Sequence, residues 1–283
     1  MTAPAPADTR GRLSEPQVRA MFDRVARVYD LMNSVMTAGM HHRWRERAVD
    51  LSGVGAGDRA LDVATGTGDL AIALERRVGP GGQVIGSDFS DQMLELARRK
   101  SDAVRFEWGN ALELPYGDDS FDAVTVGFGA RNFSDLPSGL AEMVRVARPG
   151  GRVVVLEITT PQRPPLSWFF RIWFDRMVPM LGRIAGDPDA YSYLPSSVRR
   201  FPGPEELAGQ LASAGLEDVR WVLTAGGIIA RVSAASLSAA VWSTGGVSSS
   251  TRTAIIIKPR IRTNNINFKS LIIQPSPEYR DTP

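Results

Sequence analysis

Residues 61–69, LDVATGTGD, constrain the fold of this chain more than any other stretch. An apolar strand that carries one acid runs into a tight Gly-x-Gly turn, and the turn opens a helix. Gly66 and Gly68 remove Cβ atoms at the point where the backbone has to contact a ligand. The helix that follows presents its unpaired N-terminal amides to the same point. The stretch therefore predicts a pocket for a nucleotide-type cofactor.

Beyond this turn, strand patterns and helical patterns alternate. The predicted elements are strand 59–63, helix 68–78, strand 83–87, helix 90–100, strand 103–108, strand 121–126, helix 135–147 and strand 151–157. Alternation of this kind predicts an α/β fold with a parallel, doubly wound sheet. The other predicted elements are helices 14–30, 40–51, 164–182 and 204–214 and a terminal strand pair near 217–232.

The composition excludes several kinds of chemistry. The chain has no cysteine, which rules out disulfides, thiolate catalysis and Cys-ligated metals. The only histidines, His41 and His42, are adjacent and on their own make a poor metal site, and we expect His41 to pack rather than to react. The formal charge is +2, without a dense basic cluster in the body of the chain, so nucleic acid is not an expected partner. We find no signal peptide or membrane span and expect a cytoplasmic protein.

The glycine turn alone does not identify the cofactor. Gly66, Gly68 and Ala71 satisfy the dinucleotide fingerprint G-x-G-x-x-[GA]. Asp88 follows the second strand, where an acid holds ribose hydroxyls. On these residues alone, a nicotinamide-dependent dehydrogenase fits as well as any other enzyme.

Three further features favour a different cofactor. Asp62 lies inside the first strand, Thr65 precedes the first glycine, and the pair Asn110-Ala111 follows the third strand. Together with the turn, they resemble the Rossmann-like class I methyltransferases that use S-adenosyl-L-methionine. The resemblance implies a mostly parallel sheet with an antiparallel terminal strand, preceded here by N-terminal helices.

Within this resemblance, each position has a task. Asp62 contacts the methionine part of the cofactor or braces the turn, and Asp88 accepts both ribose hydroxyls with its two oxygens. Asn110 and Ala111 border the adenine. The implied cofactor contacts are Asp62, Gly66, Thr67, Gly68, Asp88, Asn110, Ala111 and Gly127.

Other stretches resemble one family within this class, the ubiquinone/menaquinone biosynthesis C-methyltransferases. They are YDLMN at 29–33, HHRW at 41–44, GARNFSD at 129–135, RVARPGGRVVVLE at 145–157 and AYSYLPSSVRRFP at 190–202. The resemblance covers about residues 16–232. One departure concerns the cofactor, because Gly127 stands where the family commonly has a serine that contacts it.

The family resemblance implies methylation of a ring carbon on a prenylated hydroquinone, most simply demethylmenaquinol to menaquinol, with S-adenosyl-L-homocysteine as second product and no metal. An aromatic carbon is a poor nucleophile until a neighbouring hydroxyl loses its proton. Arg131 and Asn132 are implied beside the hydroquinone oxygens, and Tyr29 over the cofactor or substrate. Arginine stays protonated, so Arg131 would lower the hydroxyl pKa, stabilise the phenolate or orient a water.

Other interpretations stay open from the sequence. Arg131 alternatively forms only a salt bridge at the protein surface. The chain as a whole is alternatively a methyltransferase of another small molecule, a nicotinamide-dependent oxidoreductase or an inactive binding protein. The ring type, the prenyl length and the oligomeric state, including a homodimer, are not determined.

Helix 164–182 carries an apolar stripe at three- and four-residue steps. Its members are Leu166, Phe169, Phe170, Trp173, Phe174, Met177 and Leu181. Such a stripe is typical of a core, of a groove for a prenyl chain or of an interfacial helix. We therefore expect a peripheral contact of this segment with the inner face of the cell membrane.

The sequence divides into three regions. Residues 1–13 are expected to be a flexible N-terminus, and 14–233 the methyltransferase domain, with a helical cap at 14–52 and a substrate lid at 164–202. Residues 234–283 differ in composition, with frequent Ser, Thr, Asn and Ile and no sustained periodicity. We expect this tail to be disordered and foreign to the enzyme.

Overall fold

Alternating strands and helices build the fold, as the sequence predicts. The computed structural model describes residues 13–185, 187–224, 227, 229–236 and 262–263. The strands are β1 (Arg59–Val63), β2 (Gln83–Asp88), β3 (Arg105–Trp108), β4 (Phe121–Gly127), β5 (Ala147–Ile158), β6 (Leu216–Thr224), β7 (Ile229–Ser236) and β8 (Arg262–Thr263). The α-helices are α1 (Glu15–Thr37), α2 (Met40–Ser52), α3 (Asp69–Val78), α4 (Asp91–Lys100), α5 (Leu136–Val146), α6 (Leu166–Ile172), α7 (Val178–Ala185), α8 (Pro188–Arg200) and α9 (Pro204–Ser213).

The described strands form one sheet in the order β3-β2-β1-β4-β5-β7-β6-β8. Strand β7 runs antiparallel to its neighbours β5 and β6, whereas the other neighbouring pairs are parallel. The predicted fold class, including the antiparallel strand near the end of the sheet, is confirmed. The strand order reverses between β1 and β4, and ligands of such sheets bind at that crevice.

Both faces of the sheet are buried under helices. Successive side chains of a strand point to opposite faces, so β1 places Leu61 in one apolar cluster and Ala60 in the other. Helices α5 and α9 contribute to the first cluster, and α2, α3 and α4 to the second. This double burial explains why the strands read as nearly continuous apolar runs.

The N-terminal helix is longer than predicted. Helix α1 continues to Thr37 and ends where Ala38 and Gly39 adopt left-handed backbone conformations, with φ of 49° and 73°. The polar Asn33 and Ser34 do not end it, since both lie on the helix. The extra turns carry α1 across the edge of the sheet at which the strands end.

Two further helical segments differ from prediction. The segment predicted as one helix at 164–182 begins at Leu166 and contains a π-helical turn, Trp173–Met177, between α6 and α7. Helix α8 was not predicted as an element because its two prolines hide the helical pattern. Pro188 lies in the first turn, where a helix tolerates a missing N–H, and the N-cap Asp187 accepts the Ala190 N–H at 3.1 Å.

The tail lies mostly outside the described residues. Strand β7 extends to Ser236, slightly past the predicted domain end at 233, and the short strand β8 pairs with β6. The flexible N-terminus predicted for 1–13 also lies outside them, except for Leu13.

Candidate active site

A cleft opens at the carboxyl ends of the central strands, where the strand order reverses. It encloses about 850 Å³ of space, part of it open to solvent. Of the predicted cofactor contacts, Gly66, Thr67, Asp88, Asn110, Ala111 and Gly127 line this cleft. Asp62 and Gly68 are not among its lining residues. The sequence therefore located the cleft, and the structure separates the residues that face it from those that support it.

The two glycines of the turn have different tasks. Both adopt positive φ, 56° at Gly66 and 84° at Gly68. A Cβ atom at Gly68 would lie 2.7 Å from the ring of Phe106, so this glycine is required by packing. A Cβ atom at Gly66 would meet no atom within 4 Å. The space beside Gly66 belongs to the cleft and leaves room for a ligand.

Asp88 ties the second strand to the glycine turn. Its Oδ2 accepts the Gly66 N–H at 2.8 Å, and its Oδ1 accepts the Ser90 N–H at 2.9 Å. Burial raises the pKa of Asp88 to about 6, although these backbone hydrogen bonds oppose the shift. Each carboxylate oxygen keeps a second lone pair, so the residue can still accept hydroxyl groups of a ligand.

Asp62 lies beneath the turn rather than in the cleft. It is buried and accepts hydrogen bonds from the hydroxyls of Thr65 and Thr125, both at 2.7 Å. Burial raises the pKa of this carboxyl group to about 6. Of the two roles implied by the resemblance, the geometry supports bracing of the turn.

Helix α1 lines the cleft and is bonded to residues that follow three of its strands. The Asp30 carboxylate accepts the Thr67 hydroxyl at 2.6 Å, and the Asp23 carboxylate accepts the Ser90 hydroxyl at 2.6 Å. Farther along the helix, Glu15 Oε1 accepts Asn110 Nδ2 at 3.0 Å. The first helix of the predicted cap thus forms one wall of the cleft.

The far wall of the cleft is conformationally strained. Ala64 and Phe128, which follow β1 and β4, adopt positive φ of 50° and 61°. Non-glycine residues rarely do so, and such residues concentrate at functional sites. Gly127 precedes Phe128, and a Cβ atom there would lie 3.0 Å from Leu70 Cδ2. A serine at this position therefore requires a small shift of one flexible methyl group.

A second, larger cavity lies under α1, α2, α6 and α8. It encloses about 1620 Å³ of space, part of it open to solvent, and its walls are mainly apolar. Lining residues from these helices include Met21, Val25, Met36, Trp44, Phe169, Phe170, Trp173, Phe174, Tyr191 and Leu194. Four apolar residues of the predicted stripe, Phe169, Phe170, Trp173 and Phe174, therefore line this cavity, and the side chain of Leu181 lies outside the described residues.

The two spaces share part of their walls. Phe22, Tyr29, Arg45, Phe128 and Asn132 line both the cleft and the apolar cavity. We call these five residues the junction. Tyr29 and Asn132, which the sequence placed beside the cofactor and substrate, belong to it. A group bound in the cleft and a group bound in the cavity would meet here.

Arg131 lies in the wall of the apolar cavity and not at the protein surface. Its side chain is 7% exposed, and Nη1 lies 2.7 Å from Oε1 of the fully buried Glu157. Burial lowers the pKa of the guanidinium, but the charge of Glu157, the hydrogen bond to it and the nearby tyrosines together outweigh this effect, and the net shift is upward. The interpretation as a surface salt bridge is wrong, because the partner acid is buried in strand β5.

Two polar atoms of the described residues in this wall lack a hydrogen-bond partner. Within the described part of the chain, Arg131 Nε and Asn132 Oδ1 are buried and have no hydrogen-bond partner. Unpaired buried polar atoms are costly, so such atoms in a cavity wall point to a bound group that satisfies them. One is a donor and the other an acceptor.

Sequence reasoning missed Glu157 and Arg45. Glu157 is the single acid in the apolar run VVVLEI, a signal that was available. Arg45 is buried, lies 3.6 Å from Asp69 and stands over the Phe128 ring at 5.5 Å. It also contacts Nδ1 of His41. Burial, and after it the charge of Arg45, lowers the pKa of His41 to about 4. The pairings of Arg45 with Asp69 and Phe128 join separate segments and carry no local sequence signal, whereas its contact with His41 lies within α2.

One group of potential metal ligands occurs among the described residues, formed by His41, His42 and Asp69. Arg45 contacts His41 and Asp69, and Lys100 Nζ lies 2.8 Å from Asp69 Oδ1. The positively charged side chains of Arg45 and Lys100 therefore already contact nitrogen and oxygen atoms of His41 and Asp69 that a metal ion would need. The expectation that His41 packs rather than reacts stays a prediction.

Comparison with known proteins identifies the family. The model of the ubiE/COQ5 methyltransferase family matches residues 10–235. The chain belongs to this family. It is 48% identical to the demethylmenaquinone methyltransferase of Thermus thermophilus over 74% of the chain and 97% of that protein. It is 41% identical to the ubiquinone/menaquinone biosynthesis C-methyltransferase UbiE of a Marinomonas species over 75% of the chain and 88% of that protein.

The sheet is also similar to solved methyltransferase structures. A SAM-dependent methyltransferase from Thermotoga maritima superposes with a TM-score of 0.54 at 19% identity, covering 76% of this chain and 98% of that one. The chain is thus an S-adenosylmethionine-dependent C-methyltransferase, as predicted, and the dehydrogenase alternative is not supported. None of the helices among the described residues has the length and apolar character needed to cross a membrane.

The cleft of this enzyme fits its cofactor. Gly66 leaves open space beside the backbone, and Asp88 stands where a diol needs an acceptor. Asn110 and Ala111 lie on the same wall and offer an amide and a small side chain. The individual contacts predicted from the resemblance, including that of Gly127, stay predictions.

Proposed function

We propose that the enzyme methylates a ring carbon of a prenylated naphthohydroquinone and converts a demethylmenaquinol into a menaquinol. The observation that carries the proposal is the apolar cavity that meets the cofactor cleft at the junction. Its apolar walls suit a prenyl chain, and its unpaired polar atoms suit ring hydroxyls. Two relatives that are 47–48% identical are named demethylmenaquinone methyltransferases, which supports a naphthoquinol ring over a benzoquinol ring.

Activation of the ring carbon falls to Arg131 and Asn132. When bound, S-adenosylmethionine supplies a methyl group that is already activated, so the protein has to raise the nucleophilicity of the ring carbon and align it. Asn132 Oδ1 accepts a hydrogen bond from a ring hydroxyl. The guanidinium charge of Arg131 lowers the hydroxyl pKa, so that the proton passes to a water molecule, and Arg131 Nε then donates to the resulting quinolate oxygen.

Glu157 keeps the guanidinium in place for this task. It is fully buried and accepts the Arg131 main-chain N–H at 3.2 Å as well as Nη1. The Phe128 carbonyl accepts a second bond from the same Nη1. Because two groups, the Glu157 carboxylate and the Phe128 carbonyl, hold Arg131 through three hydrogen bonds, the guanidinium is ordered before the substrate binds.

Exclusion of water is the task of helix α1 and the cavity walls. Tyr29 closes the junction from α1, and the same helix is bonded to the cleft through Asp30 and Asp23. In a dry junction the charge of Arg131 acts more strongly on the ring oxygen than it would in water. Arg131 and Asn132 assist the deprotonation without taking the proton themselves, and we propose that turnover needs no metal ion.

Methylation assays with short-chain quinols test the proposal. We expect the purified enzyme to methylate a demethylmenaquinol faster than a demethylated benzoquinol, with or without a chelator. S-adenosylhomocysteine should raise the thermal midpoint, whereas NAD should not, because a ligand stabilises only the state that it binds. Faster methylation of the benzoquinol would reassign the ring, and loss of turnover with chelator would overturn the metal-free mechanism.

A further inference from the structure

Large apolar side chains are exposed mainly on two segments that are far apart in the sequence. Nine such residues occur in the described part of the chain, and only Trp108 and Leu223 lie elsewhere. We call the other seven the rim, and its members are Leu31, Val35, Met40, Trp168, Phe169, Ile172 and Met180. Trp168 and Leu31 are 66% and 64% exposed. A cluster of this kind marks an interaction surface.

The rim surrounds the opening of the apolar cavity. Val35, Met40 and Phe169 are exposed and also line the cavity. Val35 and Met40 come from the end of α1 and the start of α2, whereas Phe169 comes from α6, so both segments of the rim meet at the same opening. An apolar chain that starts at the rim therefore reaches the junction without leaving apolar surroundings.

The charges around the rim have one sign. Arg163, Arg171, Arg176 and Arg183 are exposed on the segment that contains α6 and α7. The single acid between residues 159 and 185 is Asp175, which forms an ion pair with Arg199 at 2.6 Å. On the other segment, residues 31–45 contain no acid and expose Arg43. Basic residues beside exposed apolar side chains are the combination that binds anionic lipid surfaces.

We propose that the rim docks the enzyme on the surface of a bilayer that contains anionic lipids, with the cavity opening facing the acyl chains. The rim side chains enter the acyl boundary and the arginines contact the headgroups. The role of the opening as the entrance for a prenyl chain rests on the proposed function, whereas the docking itself does not. The predicted stripe supplies only half of this surface, because Leu31, Val35 and Met40 form the other half.

Vesicle flotation of the full chain tests the docking. We expect flotation with vesicles of phosphatidylcholine containing about one quarter phosphatidylglycerol, weaker flotation with pure phosphatidylcholine, and release by salt. Leu31→Glu and Trp168→Glu should each lower partitioning by about tenfold or more, because a charge replaces a side chain that enters the bilayer. Leu223→Glu is the matched control, since Leu223 is 46% exposed on strand β6, and it should float like the wild type.

The outcomes separate docking from catalysis. Neither Leu31 nor Trp168 lines the cavity or the cleft, so both variants should methylate a short-chain quinol in solution at the wild-type rate. Absence of wild-type flotation, or equal loss in the Leu223→Glu control, would overturn the docking and leave the proposed function intact. Flotation of a wild-type enzyme that does not methylate the quinol would overturn the proposed function and leave the docking intact. A wild-type dimer that Leu31→Glu and Trp168→Glu dissociate would assign the rim to a second copy of the chain and overturn lipid docking.

Discussion

The cofactor cleft and the apolar cavity are built in opposite ways. The cleft consists of short motifs at successive strand ends, and backbone amides, hydroxyls and carboxylates hold nearly every position, as in the contacts of Asp88 and Asp62. The cavity is assembled from four helices and holds only a few polar atoms, two of them unpaired. The difference teaches that the cofactor site is encoded locally, whereas the substrate site depends on tertiary packing.

Among substitutions in the cleft and the cavity, removal of the buried guanidinium of Arg131 should have the largest effect. Arg131→Ala leaves Glu157 buried without its partner, which should lower the free energy of unfolding by about 3–5 kcal/mol. Turnover should fall about a hundredfold as a preorganised donor is lost. Chemical denaturation and methylation assays measure the two effects.

A double variant separates stability from chemistry at this position. Arg131→Met with Glu157→Gln removes both charges and should recover much of the stability while turnover stays low. Wild-type turnover in either variant would contradict the role of Arg131 and leave a structural ion pair.

The two glycines of the turn provide a matched comparison within the cleft. Gly68→Ala should cost about 2–4 kcal/mol of unfolding free energy, since its Cβ would clash with Phe106 at a positive φ. Gly66→Ala should cost only about 1 kcal/mol, because only the backbone is strained. Its affinity for S-adenosylhomocysteine, measured by calorimetry, should nevertheless fall about tenfold. Equal stability losses, or unchanged affinity in Gly66→Ala, would remove the distinction.

These contrasts explain how far the sequence could predict the molecule. The fold, the glycine turn, Asp88 and Asn110 are predictable because each lies at a strand end that hydrophobic periodicity already fixes. Arg131 was found only through the family resemblance, and its partner Glu157 required the pairing of β4 with β5. The rim could not be predicted as one surface, because its halves lie more than a hundred residues apart and only folding joins them.

Asp62, which braces the glycine turn from below, should make the unfolding free energy depend on pH. The pKa of Asp62 is raised to about 6 in the folded state, so the native protein holds a proton there that the unfolded chain releases near pH 4. Stability from this group is therefore lost as pH rises from about 4 to 6, by up to about 3 kcal/mol. Denaturation of Asp62→Asn against the wild type should show this difference, because burial is the largest cause of the Asp62 shift and the charge of Asp88 the smallest. A difference in unfolding free energy that does not change with pH would contradict the raised pKa of the buried Asp62 carboxyl group.

Restoring the family's serine should have the smallest effect. Gly127→Ser places a Cβ 3.0 Å from a Leu70 methyl group that can move, so the unfolding free energy should change by less than about 1 kcal/mol. The added hydroxyl should tighten S-adenosylhomocysteine binding by about threefold to tenfold if it contacts the ligand. Gly127→Ala supplies the Cβ without the hydroxyl and should show no gain. Equal affinities of the two variants would exclude this contact.

The central claim is that two separately built spaces meet in one active site. Asn33 lines the apolar cavity but not the cleft, so Asn33→Trp fills the substrate side alone. The direct test is methylation of a short-chain demethylmenaquinol by this variant, with S-adenosylhomocysteine affinity measured on the same sample. We predict unchanged affinity and a loss of kcat/KM of about tenfold or more. Wild-type methylation with the cavity filled would contradict the claim.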